Sequence, residues 1–290
     1  VSYLQLRFLV QRDRADELSG ALQDLGALSV TWENAADDAY FEVAYPSEPD
    51  WLRVCVTGLF ESTCNPELLA QELSGRIREE LVPRIEPLED QDWERVWLER
   101  FQPRKYRGDL WVCPSWAEPP DPLATNLVLD PGLAFGTGDH ATTALCLDWI
   151  SECEWTGSTI LDYGCGSGIL AIACLLKGAS AAIGVDLDPR ALAAGVANAE
   201  RNGVGDRYRA LAPDEVAEDL RADLVVANIL SSVLVELSGV LTRSARPNGL
   251  LLLSGILEEH GPEVESAYAP SFTFERQSRD GWCLLIGRKC

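Results

Sequence analysis

The chain has no methionine and only two histidines, His140 and His260, in 290 residues. A metal centre built on several imidazoles is thereby excluded, and no metal is expected. C-x-x-C pairs are lacking too. The nine cysteines are odd in number and scattered, which argues against a zinc ribbon and against a disulfide framework. They read as small apolar residues of a core. Positive charge is scarce: 24 Lys and Arg stand against 46 Asp and Glu, a net charge of −22. Such a surface repels phosphate backbones, so direct binding to naked nucleic acid is not expected, whereas a basic protein would be attracted; general solubility, or a high-salt cytoplasm, is the better account of the whole acidic excess. No apolar run approaches the ~20 residues of a membrane helix. The first residues show no basic segment followed by an apolar one, so no membrane association and a cytosolic location are expected.

What is present is enough apolar material for a large core, 47% of the residues, in a length that suggests two domains. Residues 1–90 read as a small α+β domain. Strand-like runs at 3–10, 28–32, 40–44, 52–60 and 84–88 enclose helical patterns at 13–25 and 66–81, an order that resembles a ferredoxin-like sandwich. No catalytic constellation stands in it, and recognition of a macromolecule is the role expected of it. Residues 91–106 read as a linker, with an aromatic-rich helix at 92–101 that Pro103 stops. Residues 107–290 alternate strand and helix and end in a hairpin, 272–276 with 282–287. That is the α/β doubly wound, Rossmann-like class with a terminal antiparallel pair.

The chemistry concentrates in residues 159–188. A short apolar run ends on Asp162. Gly164-Cys165-Gly166-Ser167-Gly168 follows, then an apolar helical pattern, then a second apolar run ending on Asp186. Glycines permit positive φ and close approach to a ligand. The helix start behind them offers unpaired N–H groups to an anion. An acid at the tip of the second strand can accept hydrogen bonds from both hydroxyls of a ribose. A dinucleotide fingerprint would require glycine where Ile169 stands. The G-x-G-x-G spacing, with Asp162 ahead of it, instead resembles the cofactor turn of class I S-adenosylmethionine (AdoMet) methyltransferases.

Two further sites follow. Residues 130–143 form a glycine-rich loop that can fold over a ligand, with Phe135 as an apolar wall and Thr143 offering hydroxyl and N–H; an ordinary capped loop is the alternative. Asn228 ends a strand on the edge where open α/β sheets bind ligands. Its carbonyl can accept a hydrogen bond from an amine and aim that amine's lone pair; a plain turn residue is the alternative. Asp214 lies within reach of an adenine edge.

The segments GLAFGTGDHATT, LDYGCGSGILAIA, GVDLDP, NAERNGV and ANIL, with PSW at 114–116 and GWC at 281–283, together resemble the PrmA family, the methyltransferases of ribosomal large-subunit protein L11. The resemblance covers essentially the whole chain. It implies AdoMet as methyl donor, lysine ε-amines and the N-terminal α-amine of a basic ribosomal protein as acceptors, and a first domain that captures this substrate. Thr143, Gly164, Asp186 and Asn228 match the family's cofactor contacts by position. Asp162, Gly166 and Phe135 complete the expected cofactor site, and Asn228 is the expected catalytic residue. The chain is expected to act as a monomer. Asp139 and Ala141 depart from the family loop, which usually carries Thr and Pro there, and Ser231-Ser232-Val233 is bulkier than usual. A methyltransferase with another target, or a ribosome-binding factor without catalysis, are the alternatives.

Overall fold

The computed structural model describes residues 3–34, 53–77, 81–88, 101–130 and 140–290. It divides into two compact units, Val1–Val96 and Trp97–Cys290.

The first unit runs β1 (Tyr3–Gln11), α1 (Ala15–Asp24), β2 (Ser29–Asn34), β3 (Arg53–Glu61), α2 (Pro66–Ile77) and β4 (Arg84–Leu88). The sheet order is β2-β3-β1-β4, antiparallel throughout. Alternation in β1 puts Leu6, Phe8 and Val10 on one face, where Leu18 and Leu22 of α1 and Leu73 and Ile77 of α2 cover them. Helix α2 is described through Ile77; residues 78–80 lie outside the described residues, and Leu81, the expected last residue of the helix, is not helical. The expected strand at 40–44 and residues 92–100 of the expected connector helix lie outside the described residues, while Phe101 is not helical.

The second unit opens with β5 (Arg104–Lys105), β6 (Leu110–Cys113) and β7 (Thr125–Val128), a small separate sheet. Then come α3 (Ala141–Glu152), β8 (Thr159–Tyr163), α4 (Ile169–Leu176), β9 (Ala181–Val185), α5 (Pro189–Arg201), β10 (Tyr208–Leu211) and β11 (Ala222–Asn228). The chain closes with α6 (Ser231–Glu236), α7 (Ser238–Ser244), β12 (Ala245–Leu257), α8 (Gly261–Tyr268), β13 (Phe272–Arg279) and β14 (Trp282–Lys289). The main sheet has the order β10-β9-β8-β11-β12-β14-β13. Its first five strands are parallel, and β14 is antiparallel to both neighbours. This is the doubly wound sheet with a terminal hairpin that the pattern predicts.

Both faces of the sheet are covered, so its strands are apolar on both sides. Ile160, Leu224, Val226 and Leu252 meet α3 and α4 on one face. Leu161, Val225, Leu251 and Leu253 meet α6, α7 and α8 on the other. At the edge away from the strand ends that matter below, Asp223 accepts hydrogen bonds from the Thr159 N–H (2.8 Å) and hydroxyl (2.9 Å) and pairs with Arg246 (2.8 Å). That triple contact fixes β8 against β11. The Asn202 side chain closes on Val128 from two sides: its Oδ1 accepts the Val128 N–H at 2.7 Å and its Nδ2 donates to the Val128 carbonyl at 2.8 Å. It stands in for a strand partner on β7.

Three expectations are corrected. The single helix expected over 232–241 is two, α6 and α7, meeting at Leu237; Gly239, a weak helix former, stands beside the break. The helix expected from 258 starts only at Gly261, because Pro262 is tolerated in a first turn but not in a helix interior; residues Glu258–His260 form a 3-10 turn instead. The hairpin strands are longer than expected. Asp280 and Gly281 join them with φ of 52° and 78°, the positive pair that a two-residue turn between twisted strands needs.

Candidate active site

Strands β8, β9 and β11 run parallel and end on one edge, at Tyr163, Val185 and Asn228. From β8 the sheet winds one way through β9 to β10 and the other way through β11 to β12. The crevice at such a reversal is where doubly wound sheets take ligands. The glycine turn and Asn228 therefore face each other across the switch point.

The turn leaves β8 with φ of +79° at Gly164, +52° at Gly166 and +76° at Gly168. The N–H groups of Gly164 and Cys165 both donate to the Val185 carbonyl, at 2.7 and 3.0 Å. A side chain on Gly164 would run into Ile229 Cγ2, the residue after Asn228, so glycine is needed there for space as well as conformation. Gly166 N–H donates to Asp186 Oδ2 at 2.9 Å, and Asp188 N–H donates to Asp186 Oδ1 at 3.0 Å. Both oxygens of Asp186 are thus oriented by backbone, and each keeps a lone pair for a ligand hydroxyl. Asp162 lies beneath the turn, 1% exposed, and accepts the Ala171 N–H of α4 at 3.3 Å. Burial pushes its carboxyl up to about 7; the Ala171 N–H partly offsets this and the charge of Asp186 adds to it.

On the other side of the crevice, Asn228 Nδ2 donates to Thr143 Oγ1 at 3.1 Å, across 85 residues of sequence. That bond assigns the amide: the nitrogen faces Thr143, and the carbonyl oxygen is the acceptor. Thr143 is 2% exposed in the first turn of α3. His140 caps that helix, its ring accepting from Thr142 N–H. Burial holds the His140 imidazole below its ordinary pKa, hence neutral at pH 7. Its ring meets Trp282 edge-on at 4.9 Å between centroids. Ser254, the register partner of Asn228 on β12, donates from its hydroxyl to the Thr142 carbonyl at 3.2 Å.

The chain matches the family described as "Ribosomal protein L11 methyltransferase (PrmA)" over residues 2–290. A ribosomal protein L11 methyltransferase of Actinobacillus succinogenes is 45% identical over 291 residues, covering 99% of each chain. One of Pseudomonas putida is 46% identical over 289 residues, again covering 99% of each. The solved structure of a ribosomal protein L11 methylase from Lactobacillus delbrueckii subsp. bulgaricus is 31% identical, with a TM-score of 0.59, covering 66% of this chain and all of that one.

The chain belongs to the ribosomal protein L11 methyltransferase family.

Within this family member, the structure brings Gly164, Gly166 and Asp186 together on one side of the crevice and Thr143 and Asn228 on the other. Asp162 sits below the turn. Phe135 and Asp139 lie outside the described residues, and Ala141 opens α3. The sequence reading missed His140, Ser254 and Trp282. His140 had a local signal, one of only two histidines placed directly before Thr142-Thr143 at a helix start. Trp282 stood in the GWC segment at 281–283 with no role assigned to it, and Ser254 had no signal, because strand register alone brings it to this edge.

Proposed function

We propose that this chain transfers methyl groups from AdoMet to lysine ε-amines and the N-terminal α-amine of ribosomal protein L11. The observation that carries the reading is the pair of anchored side chains facing one another across the switch point: Asp186 held by Gly166, and Asn228 held by Thr143. The donor set fits a nucleoside that also bears an amino acid end. Asp186 offers two oriented oxygens for ribose hydroxyls. The glycine turn provides close backbone approach, and Thr143 adds a hydroxyl at a helix start. Bound there, AdoMet supplies a sulfonium-activated methyl group.

The rest is the work of this chain's residues. A lysine amine with a pKa near 10.4 must reach the site neutral, and desolvation in the crevice lowers that value. The Asn228 carbonyl accepts one N–H of the amine and so directs its lone pair into the crevice. The ammonium's surplus proton leaves to solvent before transfer, and the methylated ammonium that forms gives up its own proton afterwards. Positioning and exclusion of water then account for most of the acceleration. The first unit supplies the docking surface for the protein substrate; among its described residues no catalytic constellation stands, and a basic substrate suits the net charge of −22.

The test is mass spectrometry of purified L11 after incubation with the chain and AdoMet. Gains in steps of one methylene, mapped to lysines and the N-terminus, support the reading. No gain on L11, with AdoMet binding demonstrated by calorimetry, moves the acceptor to another protein. Asn228→Ala should lower turnover by roughly 100-fold while AdoMet affinity falls far less. Unchanged turnover would remove Asn228 from its role.

A further inference from the structure

Tyr208 opens β10 beside β9, paired with Ala182. Its side chain reaches diagonally over Gly184, two residues further along β9, and under the glycine turn. Around the phenol oxygen three side chains are missing. A Cβ on Gly195 of α5 would lie 2.5 Å from it, one on Gly168 at 3.0 Å, and one on Gly184 would overlap it. The same point on Gly184 is 2.9 Å from Cys165 Sγ, inside the turn. Tyr208 is 6% exposed, and its hydroxyl meets no oxygen or nitrogen partner among the described residues, only the weak one that the Cys165 thiol offers. A buried hydroxyl so poorly served costs stability that a phenylalanine would not. The ring with its terminal oxygen is the piece that fills the hollow.

We propose that Tyr208 is a positioning residue for AdoMet: its phenol fills the slot opened by Gly168, Gly184 and Gly195 and props the cofactor turn from below. The turn lies over it at Cys165, whose thiol faces the phenol, and at Gly168, where there is no room for a side chain, on either side of Gly166. Gly166 is the residue whose N–H orients Asp186. Loss of the prop lets the turn sink toward β10 and uncouples that pair. Asn228 and Thr143, across the crevice, keep their geometry.

The inference rests on AdoMet as the donor, and its test separates the two. AdoMet binding to the full chain is measured by calorimetry, with steady-state kinetics on L11 and thermal unfolding of the same samples. Tyr208→Ala should weaken AdoMet binding about tenfold and raise its KM in parallel, while kcat at saturating AdoMet and the KM for L11 stay within about twofold. Tyr208→Phe, which keeps the ring, should bind AdoMet within about threefold of the parent. If Tyr208→Ala does not fold, Gly195→Ala pushes on the phenol tip from the other side. It should weaken AdoMet binding, and the added Tyr208→Phe change, which removes the oxygen that the new methyl group meets and keeps the ring, should restore it. AdoMet affinity unchanged in Tyr208→Ala, or in Gly195→Ala where that variant is the one tested, overturns the proposal. So does a loss in Gly195→Ala that Tyr208→Phe fails to restore, or a loss shared equally by kcat and both KM values. A parent chain that binds no AdoMet overturns the functional reading and this inference with it.

Discussion

Asp162→Asn should make the second unit more stable, and by an amount that grows with pH. The carboxyl of Asp162 is 1% exposed, and burial raises it from 3.8 to about 7. Its only hydrogen bond among the described residues is from Ala171 N–H, and Asp186 stands close enough to disfavour a second charge. Between these two values the folded chain holds a proton that the unfolded chain has released. Stability therefore falls as pH rises through this window, is unaffected below it, and levels off above about 7. Roughly three units at 1.36 kcal/mol each give a penalty of about 4 kcal/mol above neutrality. Asparagine keeps an acceptor for Ala171 and never ionises, so it escapes the penalty. Near the isoelectric point, about 4.4, the protein would associate, so the useful range starts higher. Between pH 5.5 and 8 the stability gap between variant and parent should widen by about 2 kcal/mol, read from urea unfolding of both proteins. A constant offset between them is a matter of side-chain shape and decides nothing; only its change with pH reports the proton. A gap that stays flat across the range would refute a buried, proton-holding Asp162.

Gly164→Ala forces a side chain into Ile229 at a φ of +79° and should abolish AdoMet binding, at a cost of about 2–3 kcal/mol in stability; calorimetry and urea unfolding read the two effects. Asn202→Ala leaves the Val128 N–H and carbonyl without their side-chain partner and should cost about 2 kcal/mol in unfolding, with AdoMet affinity unchanged. Turnover on lysine at saturating AdoMet should climb with pH between about 7 and 9, because the neutral amine is the reactive form, and the N-terminal amine should show a flatter profile over that range. Parallel profiles for the two acceptors, resolved by mass spectrometry, would place proton loss outside the step that limits the rate.

Much of this site was legible because its parts are local. The glycines at 164, 166 and 168 need positive φ, and a strand–turn–helix reading of residues 159–176 demands that conformation directly. Asp186 stands at a strand tip for the same local reason. Asn228 was placed by strand counting, since β11 must end where β8 ends. What did not show was the contact that orients it, because Thr143 lies 85 residues away and only the packing of α3 on the sheet joins them. The break at Leu237 escaped because apolar spacing continues through it, with Leu234 and Leu241 buried in one cluster. Nothing in the sequence around Tyr208, the first residue of β10, marks it out. Its meaning rests on three glycines from three different elements, and sequence gives no sign that they share a wall.

The two sides of the crevice are held by different means, and this bears on how the reaction is divided. The side proposed to take the cofactor is held mainly by backbone: Val185 carbonyl, Gly166 N–H and Asp188 N–H fix the turn and Asp186, with the Tyr208 ring beneath. The acceptor side hangs on side chains, Asn228 on Thr143 and the Thr142 carbonyl on Ser254, with His140 capping the helix that carries both threonines. A single nucleoside demands one fixed shape. Amines presented by several lysines and a chain terminus, the acceptors proposed above, demand a group that identifies only a nitrogen and its direction. One amide carbonyl, steadied by one hydroxyl, meets that requirement without reading the residues around the amine. Discrimination among acceptors then has to come from elsewhere, and a separately folded first unit is the part of the chain with the surface to provide it.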